Sequence, residues 1–217
     1  QLFLNRSLNY KHYFDPETKI LRPKLPDGKF LVPFNPSQGA NFEDVPGFHE
    51  GSAWNYAYYI PHDIKGLSKL MGGKRKFVDQ LQMVFDKGYY DMANEPDIAY
   101  PYLFNYFKGE EWRTQKEVTR LINKYFTNTP GGLPGNDDCG TMSAWLIYSM
   151  MGFYPVCPGD MNYALTTPVF DKITIQLDPK YYKSAELIIE KKSTVTGTAP
   201  VQQITVDSRK LDRFFIS

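Results

Sequence analysis

Three carboxylates stand where acid–base chemistry could use them: Glu50 in "FHEGSAWNY", and the neighbours Asp137 and Asp138 in "GNDDCGTMSAW". An Asp just ahead of a helix accepts hydrogen bonds from unpaired N–H groups and suits the positive end of the helix dipole. One carboxylate suffices for that. A second beside it repels the first, so the pair makes more sense facing a metal, a sugar, or a water that needs a base. Glu50 lies close to Trp54 and Asn55. A carboxyl group among aromatics can act as a general acid and a Trp can stack on a sugar, but Glu50 at a helix start and Trp54 in a core would read the same way.

Two more clusters lie in loops or at helix ends. In "IPHDIKGL" the Pro61-His62-Asp63 sequence reads first as an ordinary N-cap before an apolar-periodic segment. In "NEPDIAYPYLFNY", Asn94, Glu95 and Asp97 supply hard oxygen donors of the kind calcium takes, without the spacing of an EF-hand. The chain contains no GxSxG, no phosphate-binding glycine loop and no Ser-His-Asp order. Hydrolysis by paired carboxylic acids is therefore favoured over acyl or phosphoryl transfer, and glycoside hydrolysis uses such a pair.

The elements that must position these groups follow from periodicity. Phe77, Val78, Leu81, Val84 and Phe85 mark one buried helical face, and Val118, Leu121, Ile122 and Tyr125 mark another. "TMSAWLIYSMMGF" is apolar around nearly its whole circumference, which predicts a helix enclosed on all sides and stopped by Gly152. Residues 1–14 read as a helix end, followed by a long loop with a small hairpin around Pro26-Asp27-Gly28. After Pro168 the period becomes two: Ile173, Ile175 and Leu177 alternate with polar residues, and "AELIIEK" and "QQITVDS" also favour strands. "KLDRFFIS" is expected to pair with "QQITVD" across Asp207-Ser208-Arg209. The expected organisation is helical over residues 1–168 and β over 169–217: mainly α with a C-terminal β segment.

Composition narrows the function classes. The 217 residues carry a formal net charge of +1, which gives no broad basic field for nucleic acid. No stretch reaches the length of a membrane span. Aromatics make up 16% of the chain, consistent with ligand stacking or with an aromatic-rich core. Cys139 and Cys157 match no zinc spacing, so one disulfide and two free thiols are both open.

"HEGSAWNYAYYIPHDIKGLSKLMGG", "NEPDIAYPYLFNY", "TPGGLPGNDDCGTMSAWLIYSMMGFYPVCPG" and "TPVFDKITIQL" together resemble the C-terminal half of the glycoside hydrolase family 92 exo-α-mannosidases. The resemblance implies part of an (α/α)6 barrel, a preceding N-terminal β-sandwich domain and further helices outside this chain, and a periplasmic or secreted bacterial enzyme. It also implies calcium-dependent hydrolysis of α-mannosides with inversion, such as α-1,2-linked mannose of N-glycans or mannan. The metal's work would be to orient and distort the sugar.

Carried over by position, Glu50 is the implied general acid. Asp137 and Asp138 are the carboxylates implied to activate water, with Asp138 favoured as base. Trp54, Asn94 and Glu95 fall to the substrate, and Asn55 and Glu95 to the metal. Asn94 stands where some relatives have His, and Asn55 where they often have Gln. The reading from another class is a calcium-dependent mannose-binding module without turnover, against which the adjacent aspartates count.

Overall fold

The computed structural model describes residues 1–39, 47–192 and 200–217. The chain divides into two compact units, Gln1–Phe107 and Lys108–Ser217.

The first unit begins with a short helix, α1 (Leu2–Arg6), and an antiparallel hairpin of β1 (Phe14–Asp15) and β2 (Ile20–Leu21). The Pro26-Asp27-Gly28 turn is closed by a bridge between Lys24 and Phe30. Arg22 adds a side-chain tie to the backbone bonds of this loop, such as Leu31 N–H to the Pro23 carbonyl at 2.9 Å. Arg22 Nη1 meets Asp15 Oδ2 at 2.9 Å, while its Nε and Nη2 donate to the Leu31 carbonyl at 2.9 and 2.6 Å. Both partners of the ion pair are largely buried, so its geometry matters more than that of a surface pair.

Among the described residues this unit also holds the α-helices α2 (Ala53–Tyr56), α3 (Ile64–Met71) and α4 (Lys74–Asp86), and a 3-10 segment over Tyr100–Tyr106. Asp63 caps α3, its Oδ1 accepting the Gly66 N–H at 2.9 Å, as the sequence indicates. The α4 face predicted from periodicity is the buried one: Phe77, Val78, Leu81, Val84 and Phe85 are all buried. Phe77 meets Tyr58 edge to face at 5.1 Å, Tyr58 meets Tyr100 at 5.3 Å, and Phe85 lies 6.1 Å from Phe104. Much of the aromatic content is therefore core, where such pairs add to area burial.

Among the described residues, the second unit holds α5 (Glu111–Tyr125), α6 (Thr141–Met151) and seven short strands. β3 (Phe153–Tyr154), β4 (Tyr163–Leu165) and β9 (Phe215–Ile216) form an antiparallel sheet. β5 (Lys172–Gln176) pairs with β6 (Glu186–Glu190), placing Ile173 opposite Ile189 and Ile175 opposite Leu187. β7 (Thr205–Val206) and β8 (Arg209–Lys210) form the predicted hairpin, with Asp207 and Ser208 at φ 47° and 67° as a two-residue turn requires. Phe215–Ile216 leaves that hairpin and joins β4 instead.

The enclosure expected for α6 is not realised within this chain. Met142, Trp145 and Ser149 are buried, but Ile147 is 57% exposed. Burial follows one helical face, which apolarity around the whole circumference could not reveal. Gly152 ends the helix in the left-handed region, with its N–H bonded to Tyr148 and Ser149 carbonyls. Among the described residues no helix is long and apolar enough to cross a membrane.

Candidate active site

In the first unit, the predicted residues Glu50, Trp54, Asn55, Asn94 and Glu95 lie on two short helical starts that face each other. α2 follows Ser52, and a single 3-10 turn, Glu95–Asp97, follows Asn94. They are joined underneath by Asp97. Its Oδ2 accepts from Asn55 Nδ2 at 2.6 Å and from the Asp91 N–H at 2.7 Å. Asp97 is fully buried and its Oδ1 has no hydrogen-bond partner. Burial pushes its carboxyl well above the usual carboxylate range, against the downward pull of the Asp91 and Asn55 bonds. A neutral, protonated Asp97 is the form that such a site favours.

Asn55 is used up by this foundation. Its Oδ1 accepts from the Ser52 N–H at 2.7 Å and the Ser52 hydroxyl at 2.9 Å, and its amide also reaches the Tyr89 carbonyl at 3.3 Å. The side chain is buried and its oxygen faces Ser52. It offers no free oxygen to a metal in this arrangement. Trp54 is half-buried, stacks parallel on Tyr89 with centroids 5.4 Å apart, and donates from Nε1 to Ser37 Oγ at 3.1 Å.

Above the foundation the chain is open. Glu50 has a side chain 58% exposed, with Oε1 3.4 Å from His49 Nε2. It adopts φ 55°, in the left-handed region. That conformation costs a residue with a Cβ about 1–2 kcal/mol, and Glu lacks the short polar side chain that eases it for Asn and Asp. Asn94 Nδ2 donates to the Glu50 carbonyl at 2.7 Å, so these two predicted residues do meet. Glu95 is exposed. Gly51 lets the two helical starts approach: a Cβ there would lie 3.0 Å from Asn94 Nδ2 and 3.1 Å from Asn55 Oδ1.

In the second unit, the paired aspartates divide their work. Asp137 Oδ1 accepts the Ser143 N–H at 2.7 Å and its Oδ2 accepts the Ser143 hydroxyl at 2.8 Å. The Ser143 N–H and hydroxyl hold the Asp137 carboxyl below the usual carboxylate range. Gly140 holds the N-cap position of α6, and Asp137 satisfies the first turn from three residues further back. Asp138 is exposed and contributes only its main-chain carbonyl, which accepts from the Thr141 hydroxyl at 2.8 Å and the Thr141 N–H at 3.2 Å. Asp138, Cys139 and Gly140 follow one another at φ 45°, 60° and 89°. Successive left-handed residues of this kind are found where geometry serves function.

A scan of family models matches the glycosyl hydrolase family 92 catalytic domain over residues 1–217. The chain belongs to glycosyl hydrolase family 92. A curated relative, an uncharacterized secreted glycosidase of Arthroderma benhamiae, is 32% identical over 162 residues, which is 74% of this chain and 19% of the relative. Among solved structures, the family 92 α-mannosidase of Bacteroides thetaiotaomicron in complex with mannoimidazole is 30% identical, with a TM-score of 0.82 over 99% of this chain and 30% of that one. A family 92 inverting mannosidase of the same organism is 25% identical, with a TM-score of 0.81 over 100% of this chain and 31% of that one. The chain thus spans about a fifth to a third of the length of these relatives.

For a family 92 chain, the donors available for calcium are few. The ion takes six to eight oxygens. Glu95 presents an exposed carboxylate, Asn55 is engaged with Ser52, and among the described residues no three His, Cys, Asp or Glu side chains come together. These residues do not by themselves make up a calcium site, and no step below passes through one.

Sequence reasoning missed three supports of the candidate residues: in the first unit Asp97 as a buried anchor and Tyr56, whose hydroxyl donates to the His49 carbonyl, and in the second Ser143 as the partner of Asp137. One carried a signal: Ser143 follows Asp137 across a helix start, where an Asp is expected to find N–H partners.

Proposed function

We propose that this chain carries the general acid and general base of an inverting exo-α-mannosidase that removes terminal mannose from α-mannosides, such as α-1,2-linked mannose of N-glycans or mannan. Glu50 protonates the glycosidic oxygen as its bond to the anomeric carbon breaks. Asp138 takes a proton from the water that attacks that carbon on the opposite face, so α-mannoside gives β-mannose. Both carboxyl groups end the cycle with their protons exchanged, and solvent restores them.

The observation that carries this reading is the division of labour at residues 137 and 138. Satisfying the start of α6 needs one carboxylate, and Asp137 supplies it with both oxygens. Asp138 is left exposed beside it, with a carboxylate that the start of α6 does not require. That favours an enzyme over a mannose-binding module.

The wider proposal follows the relatives: a longer exported enzyme, with a β-sandwich domain and an (α/α)6 barrel of which this chain is a part. Calcium belongs to the proposal as well. Glu95 is the side chain of this chain best placed to contribute an oxygen, and the bound ion would supply orientation of the sugar. Mannose release from α-1,2-mannobiose by the full-length protein, with and without a chelator, tests this. Turnover that is lost on chelation and regained with calcium supports it. Sugar binding without any turnover would favour the binding module, and full activity after exhaustive chelation would remove the metal.

A further inference from the structure

The main chain is pinned on both sides of Glu50. The carbonyl before it, of His49, accepts from the Tyr56 hydroxyl, and the carbonyl after it, its own, accepts from Asn94 Nδ2 at 2.7 Å. Those two carbonyls belong to the two peptide planes that flank the Glu50 Cα. Fixing both planes fixes the backbone torsions between them, and with these the direction of the Cα–Cβ bond.

The fixed conformation is one that Glu would not choose. At φ 55° the residue lies in the left-handed region, and without restraint it would relax to negative φ and carry its carboxyl elsewhere. The two restraints are also built on one foundation. Tyr56 sits on α2 next to Asn55, Asn94 caps the Glu95–Asp97 turn, and the buried Asn55–Asp97 bond of 2.6 Å ties the two together.

We infer that Asn94 and Tyr56 are positioning residues, which hold Glu50 in its left-handed conformation and so aim its carboxyl at the glycosidic oxygen. The inference rests on the reading of Glu50 as the general acid. It gives Asn94 a different task from the sugar contact that resemblance implies.

The test uses Tyr56→Phe, Asn94→Ala and Glu50→Gln in the full-length protein, with α-1,2-mannobiose and 2,4-dinitrophenyl α-mannoside as substrates. The dinitrophenolate leaves without a proton, so its rate reports a site that is intact apart from the acid. Each positioning variant should lose about tenfold to hundredfold in kcat on mannobiose, the range expected for a displaced catalytic group. KM should stay within about twofold and the dinitrophenyl substrate within about threefold. Equal losses on both substrates would make the two residues merely structural, and a raised KM with unchanged kcat on mannobiose would make Asn94 a sugar ligand. Either result overturns the inference. If Glu50→Gln separates the substrates and the positioning variants do not, only the inference fails. If Glu50→Gln loses both equally, the acid assignment fails and the inference goes with it.

Discussion

Asp137 holds Ser143 twice, through its main-chain N–H at 2.7 Å and its hydroxyl at 2.8 Å, and in doing so commits both carboxylate oxygens to the first turn of α6. Asp138, next in the chain, makes no side-chain bond of that kind and turns its carboxylate outward. Two identical side chains therefore predict opposite mutant behaviour.

Asp138→Asn should leave the melting temperature close to that of the parent while lowering kcat by about 10²–10⁴-fold, the contribution of a general base. Asp137→Ala should lower the melting temperature, because the Ser143 N–H and hydroxyl lose their acceptor, and should reduce activity through the displaced turn. Ser143→Ala, which removes only the hydroxyl, should shift stability in the same direction by less. Thermal unfolding alongside steady-state kinetics checks the set. A folded, fully active Asp138→Asn variant would contradict the assignment.

The buried Asp97 sets a pH dependence of stability. Its carboxyl holds a proton more tightly in the folded chain than in the unfolded one, because burial raises its pKa. The stabilisation is therefore complete below the unfolded value of about 3.9, and it declines as pH rises from there through the raised native value. Asp97→Asn mimics the protonated form and keeps an oxygen for Asn55 and the Asp91 N–H. Its melting temperature should be within about 2 °C of the parent or higher at pH 7–8, with a flatter profile down to pH 4. Asp97→Ala should cost about 1–3 kcal/mol for each donor left buried and unpaired. A large, pH-independent loss in the Asn variant would mean that Asp97 is held as the charged form.

Arg22 fastens the long loop after β1. Its guanidinium spans Asp15 and the Leu31 carbonyl, a pair of contacts that the single ammonium of Lys cannot reproduce in the same plane. Arg22→Ala should cost about 3 kcal/mol, since it leaves the Asp15 charge buried without its partner. Limited proteolysis should then cut first within residues 16–35. Unchanged stability would show that the loop is held by other contacts.

The cysteines provide a simpler check. Cys139 and Cys157 are both free, and Cys139 is exposed beside Asp138 at φ 60°. Cys139→Gly should retain activity and raise the melting temperature slightly, because glycine adopts this conformation without the steric cost. Loss of turnover in a folded variant would implicate the thiol in the chemistry.

The sequence carried the helices better than the site. α4 was legible because Phe77, Val78, Leu81, Val84 and Phe85 repeat at helical spacing, and its buried face is the one they mark. The β7–β8 hairpin was legible from turn chemistry at Asp207 and Ser208. The exposure of Ile147 was not, because an all-apolar helix has no periodicity from which to choose a buried face. Phe215 and Ile216 joined β4 because pairing partners distant in sequence leave no local trace. The candidate acid and base could be placed from their motifs. The links from Asn94 to Glu50 and from Asn55 to Asp97 span 44 and 42 residues, and only the fold brings such partners together.

The central claim is that Glu50 and Asp138 act as acid and base in an inverting α-mannosidase. Its most direct test is a proton NMR time course of α-1,2-mannobiose hydrolysis by the full-length protein and its Asp138→Asn variant, reading the anomeric form of the first mannose released. β-Mannose should appear first, with the α-anomer only later by mutarotation, and the variant should release almost none. α-Mannose as the first product, or β-mannose released by the variant at the parent rate, would contradict it.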